Sequence, residues 1–344
     1  MHNAPFCDTK DNSAQRTGKR QHSMRRRDFI LGVGAAASPI RALAQQSSKI
    51  WRIGFLAHGY ETFYDPFFSE LRQLGYQEGR NLVVERRYAA GYSERFSAFA
   101  VELVNLQVDL IIVVTTPAAL AVKKASTTIP IVFPNAINPV ETGVVASLAH
   151  PGGNVTGGAI PTAELSAKRI EFFKQVIPRL LRVAVLWDSA NPSVSLGLRD
   201  TRTAADKLGV TIQPLAVREP KDFAIAFGKI PEDRPDGMIV FQDALTLQHR
   251  NEIIAFVTQE RLPTMYTGRE WVHEGGLMSY GENLGGMFKR AAYFVDKIFK
   301  GTQPADLPVE QPVEFDLVIN IKTAQTLGLA FPQSILLRAD EVIE

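Results

Sequence analysis

The chain has 344 residues, 45% hydrophobic and 22% charged, the balance of an ordinary globular protein long enough to favour two domains. Its formal charge of +2 is divided unevenly: residues 1–44 hold eight Lys/Arg and three Asp/Glu, leaving 30 basic and 33 acidic side chains for residues 45–344. That mildly acidic remainder argues against a nucleic-acid footprint, and the single cysteine, Cys7, leaves no disulfide, thiolate metal site or cysteine nucleophile after residue 44.

The first 44 residues read as an export signal. Met24-Arg25-Arg26-Arg27-Asp28-Phe29-Ile30 sets consecutive arginines before an apolar run, 29–40, and Ala42-Leu43-Ala44 supplies a small-x-small exit. The pattern is of the twin-arginine type, with cleavage after Ala44, Gln45 as first mature residue and Met24 as a second candidate start. The apolar run is shorter than the roughly 20 residues of a membrane span. No other segment is long and apolar enough, so the reading is periplasmic, with no stable membrane insertion once the signal is removed. Gly32-Val33-Gly34-Ala35-Ala36-Ala37 matches a dinucleotide fingerprint, but it follows an arginine cluster and no strand, so it is rejected.

From residue 51 short apolar runs alternate with amphipathic segments. A strand at 51–56 ends at Ala57-His58-Gly59-Tyr60, and Asp65-Pro66 starts a helix with Asp65 as N-cap. A strand follows at 81–88, then a helix capped by Ser93. The run 109–114 is apolar enough for a central parallel strand, and Thr116-Pro117 reads as N-cap and first helical residue of the next helix. Strand 131–133 runs into the polar turn 134–139, then a helix-like segment, a glycine-rich turn at 151–154 and strand 155–160.

The alternation then repeats. Helix 163–176, strand 182–187, a helix to Leu208, strand 210–215, helix 220–229, strand 237–241, helix 246–260 and a short strand at 264–266 follow in order. A brief strand lies within 275–281 and a helix spans 287–299. The proline-rich connection 304–312 leads to a last strand, 314–320, and a last short helix, 321–327. Two βαβ series imply an α/β protein with parallel sheets flanked by helices.

Ligands of such sheets bind beyond the carboxyl ends of the strands. The candidates there are His58, Thr115, Thr116 and the turn 134–139 in the first series, and Asp188 and Asp243 in the second. For the threonines and the aspartates helix capping is the competing role; for His58 it is a solvated loop position. No G-x-S-x-G elbow, P-loop, H-E-x-x-H or metal-ligand spacing occurs. The two aspartates, without a nucleophile or metal spacing beside them, suit recognition of an ammonium or hydroxyl better than acid–base work.

Several stretches carry a family resemblance: Leu103-Val104 with Val108-Asp109-Leu110-Ile111-Ile112, Thr128-Ile129-Pro130-Ile131-Val132-Phe133, and residues 147–157, SLAHPGGNVTG. Residues 275–281, 290–298, 304–312 and 338–344 add to it. Over nearly all of residues 50–344 the chain resembles the solute-binding proteins of ABC transporters, in the tryptophan/phenylalanine-binding-like group. The resemblance implies two Rossmann-like lobes of the type I periplasmic-binding kind joined by a hinge of crossing strands. It implies one small polar ligand, amino-acid-like or aromatic, between the lobes, a membrane permease as partner, no cofactor, no metal and no catalysis, and we expect a monomer. The expected boundaries are 45–162 with about 282–305 for lobe 1, and 163–281 with 312–330 for lobe 2. The ligand-facing set carried over is His58, Tyr60, Thr115, Thr116, Asn135, Asn138, Asp188, Asn191, Asp243 and Tyr266. Where the family shows Asp-Pro-Val, this chain has Asn138-Pro139-Val140, which keeps an acceptor, loses the charge and gains two donors. The different-class alternative is a two-lobed enzyme on a small polar substrate, with Asp188 or Asp243 as acid/base.

Overall fold

The computed structural model describes residues 49–344 except Tyr60, so the expected export signal and the Tyr60 candidate lie outside the described residues. The first series forms a five-stranded parallel sheet from β1 (Trp51–Ala57), β2 (Leu82–Tyr88), β3 (Leu110–Val113), β4 (Ile131–Ile137) and β5 (Val155–Ile160), in the order β2-β1-β3-β4-β5. Its helices are α1 (Asp65–Gln73), α2 (Arg95–Asn105) and α3 (Thr116–Ala125). All four residues of β3 are buried, as a central parallel strand covered on both faces requires.

The chain then crosses to a second sheet through α4 (Thr162–Val176). Next come β6 (Arg182–Asp188), α5 (Pro192–Lys207), β7 (Thr211–Val217), α6 (Asp222–Asp233), β8 (Gly237–Val240), α7 (Ala244–Gln248) and α8 (Arg250–Gln259). The strand β9 (Thr264–Tyr266), α9 (Glu270–His273) and β10 (Met278–Glu282) follow. A second crossing returns the chain to the first lobe, where α10 (Leu284–Phe299) packs on α1 and β4. A third passes Glu310, bridged to Gly158, and enters β11 (Phe315–Asn320), α11 (Ile321–Leu327), α12 (Gln333–Leu336) and β12 (Glu341–Ile343). The second sheet runs β12-β11-β10-β9-β8-β6-β7, with β10 and β11 antiparallel and its other described pairings parallel. This is the two-lobed α/β architecture expected.

Several local expectations are corrected. Asp65 is inside α1, not its N-cap: a 3-10 turn, Thr62–Tyr64, leads straight into the helix. Thr115, not Thr116, caps α3, accepting from the Ala118 amide at 3.3 Å. The stretch after Pro139 forms turns in place of a helix. Helix 246–260 is two helices meeting at His249, because Asp243 and Thr246 close a reciprocal capping box that starts α7 earlier.

Strand β4 continues through Pro134, which has no amide hydrogen to give, and its register with β5 shifts between Phe133 and Ala136. The shift is possible because β5 presents glycines there. A Cβ on Gly157 would lie 1.9 Å from the Phe133 carbonyl oxygen, and one on Gly158 2.2 Å from that of Pro134.

Candidate functional site

A cavity of about 100 Å³ lies between the two sheets, and both lobes line it. The first lobe supplies His58 beyond β1, Thr115 and Thr116 at the start of α3, and Asn135 on the irregular part of β4. The second supplies Asn191 and Ser193 at the start of α5, Gln242 and Asp243 beyond β8, and Arg169 on α4; Glu282 closes it at the end of β10. Apart from Arg169, which projects from the middle of α4, these positions lie at or near the carboxyl ends of strands and the helix starts that follow them, where backbone groups are left free. Phe63, Val114, Ile137, Ile160, Phe241 and Leu247 form apolar wall.

Several polar groups at the cavity are already committed. Asn191 caps α5 by accepting from the Ser193 amide at 3.0 Å and hydroxyl at 2.6 Å. Its amide nitrogen donates to Asp243 Oδ2 at 2.5 Å, while Asp243 Oδ1 accepts from the Leu245 amide at 3.3 Å. Asp243 thus caps one helix and ties it to the start of another, which favours its capping role.

Others are buried and have no protein partner. Both ring nitrogens of His58, Asn135 Oδ1 and Glu282 Oε2 make no hydrogen bond. Leaving a buried polar atom unpaired costs about 1–3 kcal/mol, so a cluster of them around one cavity marks where an occupant supplies the missing partners. His58 is 4% exposed, and burial, outweighing the opposing pull of Asp243, brings its pKa down to about 4, with Arg250 adding to the fall. The imidazole is therefore neutral at pH 7, able to donate from one nitrogen and accept at the other.

Arg169 and Glu282 escaped the sequence reading. Arg169 is 5% exposed, and its Nε donates to the Tyr280 carbonyl at 2.6 Å. Burial lowers its pKa to about 10, so it stays charged at neutral pH; burial likewise raises that of Glu282. The available signal was position: Arg169 lies between Leu165 and Phe173 at intervals of four, on the stripe that α4 buries.

Of the ten ligand candidates, His58, Thr115, Thr116, Asn135, Asn191 and Asp243 meet at this cavity. Three do not line it. Asp188 faces an outer recess of about 560 Å³, formed by residues 90–94 of the first lobe with 218–220 and 245–249 of the second. It stands against Asp243, and burial and that neighbouring carboxylate push its pKa up to about 8. Tyr266 is fully buried, stacked on Trp271 with ring centroids 5.0 Å apart. Asn138 sits beside the first crossing in a left-handed conformation, φ 42°, and donates to Thr162 Oγ1 at 2.8 Å.

Two sets of ion pairs close the cleft from outside the cavity. Glu61 of the first lobe meets Arg250 of α8 at 2.9 Å, and Arg250 also holds Glu274 at 2.7 Å. Glu141 of the first lobe meets Arg199 of α5 at 2.9 Å.

Comparison with known proteins agrees with this architecture. A tyrosine-binding protein of Clostridioides difficile (strain R20291) is 23% identical over 265 residues, 76% of this chain and 75% of that one. A conserved domain protein of Vibrio cholerae superposes with a TM-score of 0.79 at 24% identity, covering 86% of this chain and all of the other. The ABC domain from Streptococcus pneumonia, solved in complex with L-Trp, gives 0.77 at 23% identity over 85% of this chain and all of that one. At these identities the superpositions establish the shared two-lobed fold. The family is established by its own sequence model, which matches residues 55–343: the chain belongs to the ABC transporter substrate binding protein family.

Proposed function

We propose that this protein is an extracytoplasmic solute receptor: it binds one small polar molecule, amino-acid-like or aromatic, between its lobes and presents it to an ABC-type permease without altering it. The observation that carries this reading is the set of buried, partnerless polar atoms on His58, Asn135 and Glu282 around a cavity with apolar walls. The tyrosine-binding and L-Trp-bound relatives support an amino acid or aromatic ligand. The arginine-rich leader supports export by the twin-arginine route with cleavage after Ala44, and we expect the mature protein to act as a monomer. The rival enzymatic reading needs Asp188 or Asp243 free for proton transfer at the substrate, whereas Asp243 is committed to capping and Asp188 faces the outer recess.

Thermal-shift screening against amino acids, aromatic acids, sugars and nucleosides tests this. A ligand that binds the native state alone raises the apparent melting temperature. We expect a rise with an amino acid or aromatic acid, abolished by Asn135→Leu. Stabilisation only by sugars or nucleosides would overturn the ligand class, and turnover of the stabilising compound would overturn the receptor reading.

A further inference from the structure

We propose that Arg169 and Glu282 together form the clamp for the charged head of a free α-amino acid, Arg169 taking the carboxylate and Glu282 the ammonium, with the apolar walls left for its side chain. This rests on the receptor reading above and narrows its ligand class from amino acids or aromatic acids to α-amino acids.

The Arg169 Nε is fixed on the carbonyl of Tyr280, and Glu282 lies two residues further along the same strand. The side chains of both Arg169 and Glu282 line the same cavity. Between Tyr280 and Glu282 stands Gly281, where a Cβ would lie 3.6 Å from Arg169 Nη2 and 2.0 Å from the Thr267 carbonyl oxygen. Glycine is required there by the close approach of the Thr267 carbonyl, and the guanidinium lies alongside.

Neither group has its full set of partners within the protein. Glu282 Oε2 is buried without a hydrogen bond, and among the described residues the Nη groups of Arg169 have no partner. An arginine 95% buried with its fork unused is poised for a planar two-oxygen acceptor, which a carboxylate supplies. A guanidinium fork and a carboxyl group that line one cavity without joining call for an occupant that offers an acceptor to the first and a cation to the second. In an α-amino acid the nitrogen and the carboxyl carbon are about 2.5 Å apart, by standard N–Cα–C geometry. That head places its own opposite charges against both groups at once. A sugar would leave both buried charges uncompensated, and an aromatic acid would satisfy Arg169 alone.

Titration calorimetry with the purified protein tests this in two series: L-phenylalanine, 3-phenylpropionate and 2-phenylethylamine; L-leucine, 4-methylpentanoate and isopentylamine. We expect at least one amino acid to bind, with both of its truncated analogues about 100-fold weaker or worse. Glu282→Gln is expected to weaken the amino acid at least tenfold while leaving the deaminated acid within a few-fold. Arg169→Gln is expected to abolish binding of both. Because the ligand analogues probe the unmodified protein, the result stands even where Arg169→Gln folds poorly, and Arg169→Lys, expected to keep partial binding, serves as the milder variant. A deaminated acid or an amine binding within tenfold of its amino acid overturns the clamp while leaving the receptor reading intact, as does an amino acid bound equally well by Glu282→Gln. If neither amino acids nor aromatic acids, benzoate included, bind the unmodified protein, the ligand class itself fails and the clamp falls with it.

Discussion

Asn138 donates its Nδ2 hydrogen to Thr162 Oγ1 at 2.8 Å, and Thr162 gives its own hydroxyl hydrogen to Asp200 Oδ2 at 2.5 Å. Asp200 is in turn gripped by Arg199, whose other contact is Glu141 in the first lobe. The relay spans the first crossing between lobes and gives the departure from the family's aspartate a structural meaning. With Asp200 already taking the single hydroxyl hydrogen, residue 138 must be a donor, which asparagine is and a carboxylate is not.

Asn138→Asp is therefore expected to destabilise the protein by about 0.5–1.5 kcal/mol at pH 7, the usual net contribution of a hydrogen bond, since Asn138 is half-buried. The loss should shrink below pH 4, where the new carboxyl is protonated and can donate again. Denaturant titrations at the two pH values check this. The double variant Asn138→Asp/Asp200→Asn reverses the relay and should recover most of the loss; equal loss in the single and double variants would contradict the relay.

The fold was largely legible because its central strands are uninterrupted apolar runs, such as Leu110–Val113, bounded by capping and glycine signals. What misled was local. The helix-like stretch after Pro139 has the composition of a helix, but the left-handed backbone at Asn138 and Gly143 turns the chain. Threonine pairs are ambiguous as caps, and only the bond from the Ala118 amide settles Thr115 over Thr116. In the site, polar residues at strand ends were findable by position, as His58, Asn135 and Asp243 show. Arg169 carries a positional signal too, on the stripe that α4 buries, but beside Lys168 it reads as part of a solvated face; Lys168 pairs with Glu171 outside, whereas Arg169 points to the cavity. Asn138 was named for its distinctiveness, and its partner across the crossing, Thr162, could not be read from spacing.

His58 makes the protein acid-sensitive in a defined window. Its folded pKa of about 4 lies below the ordinary value near 6.5, so between these values the unfolded chain binds more protons and stability falls as pH falls. The shift corresponds to about 3 kcal/mol at most. In His58→Phe, which removes the titrating ring nitrogens, the slope of unfolding free energy between pH 6.5 and 4 should flatten. An unchanged slope would mean that His58 is already charged or solvent-paired in the folded state.

Asp188 has the opposite sign. Its folded pKa of about 8 lies above the unfolded value near 3.9, so its contribution is fully present below pH 4 and is lost as pH rises toward 8. Asp188→Asn keeps the oxygen that accepts from the Ala190 amide at 2.7 Å and removes the charge held against Asp243. The variant should be more stable than the parent at pH 8.5, with the advantage narrowing toward pH 4. Melting curves across that range check this, and a variant less stable at pH 8.5 would contradict it.

The rim ion pairs Glu61–Arg250 and Glu141–Arg199 join the lobes across the cleft. The exposed Glu141–Arg199 pair contributes about 0.2–1 kcal/mol, and the half-buried Glu61–Arg250 pair adds to it, enough to bias a hinge without locking it. The double variant Glu61→Gln/Glu141→Gln should show a larger radius of gyration than the parent by small-angle X-ray scattering without ligand, and an equal one at saturating ligand. Equal radii in both conditions would mean that the pairs do not hold the lobes together.

The central claim is that one unmodified small molecule occupies the cavity between the lobes. Titration calorimetry with amino acids and aromatic acids, followed by NMR of the ligand recovered from the complex, tests it most directly. We expect a stoichiometry of one, a chemically unchanged ligand, and loss of binding in both Asn135→Leu and Arg169→Gln. Conversion of the ligand to product, abolished in Asp243→Asn, or binding untouched by both cavity variants, would contradict it.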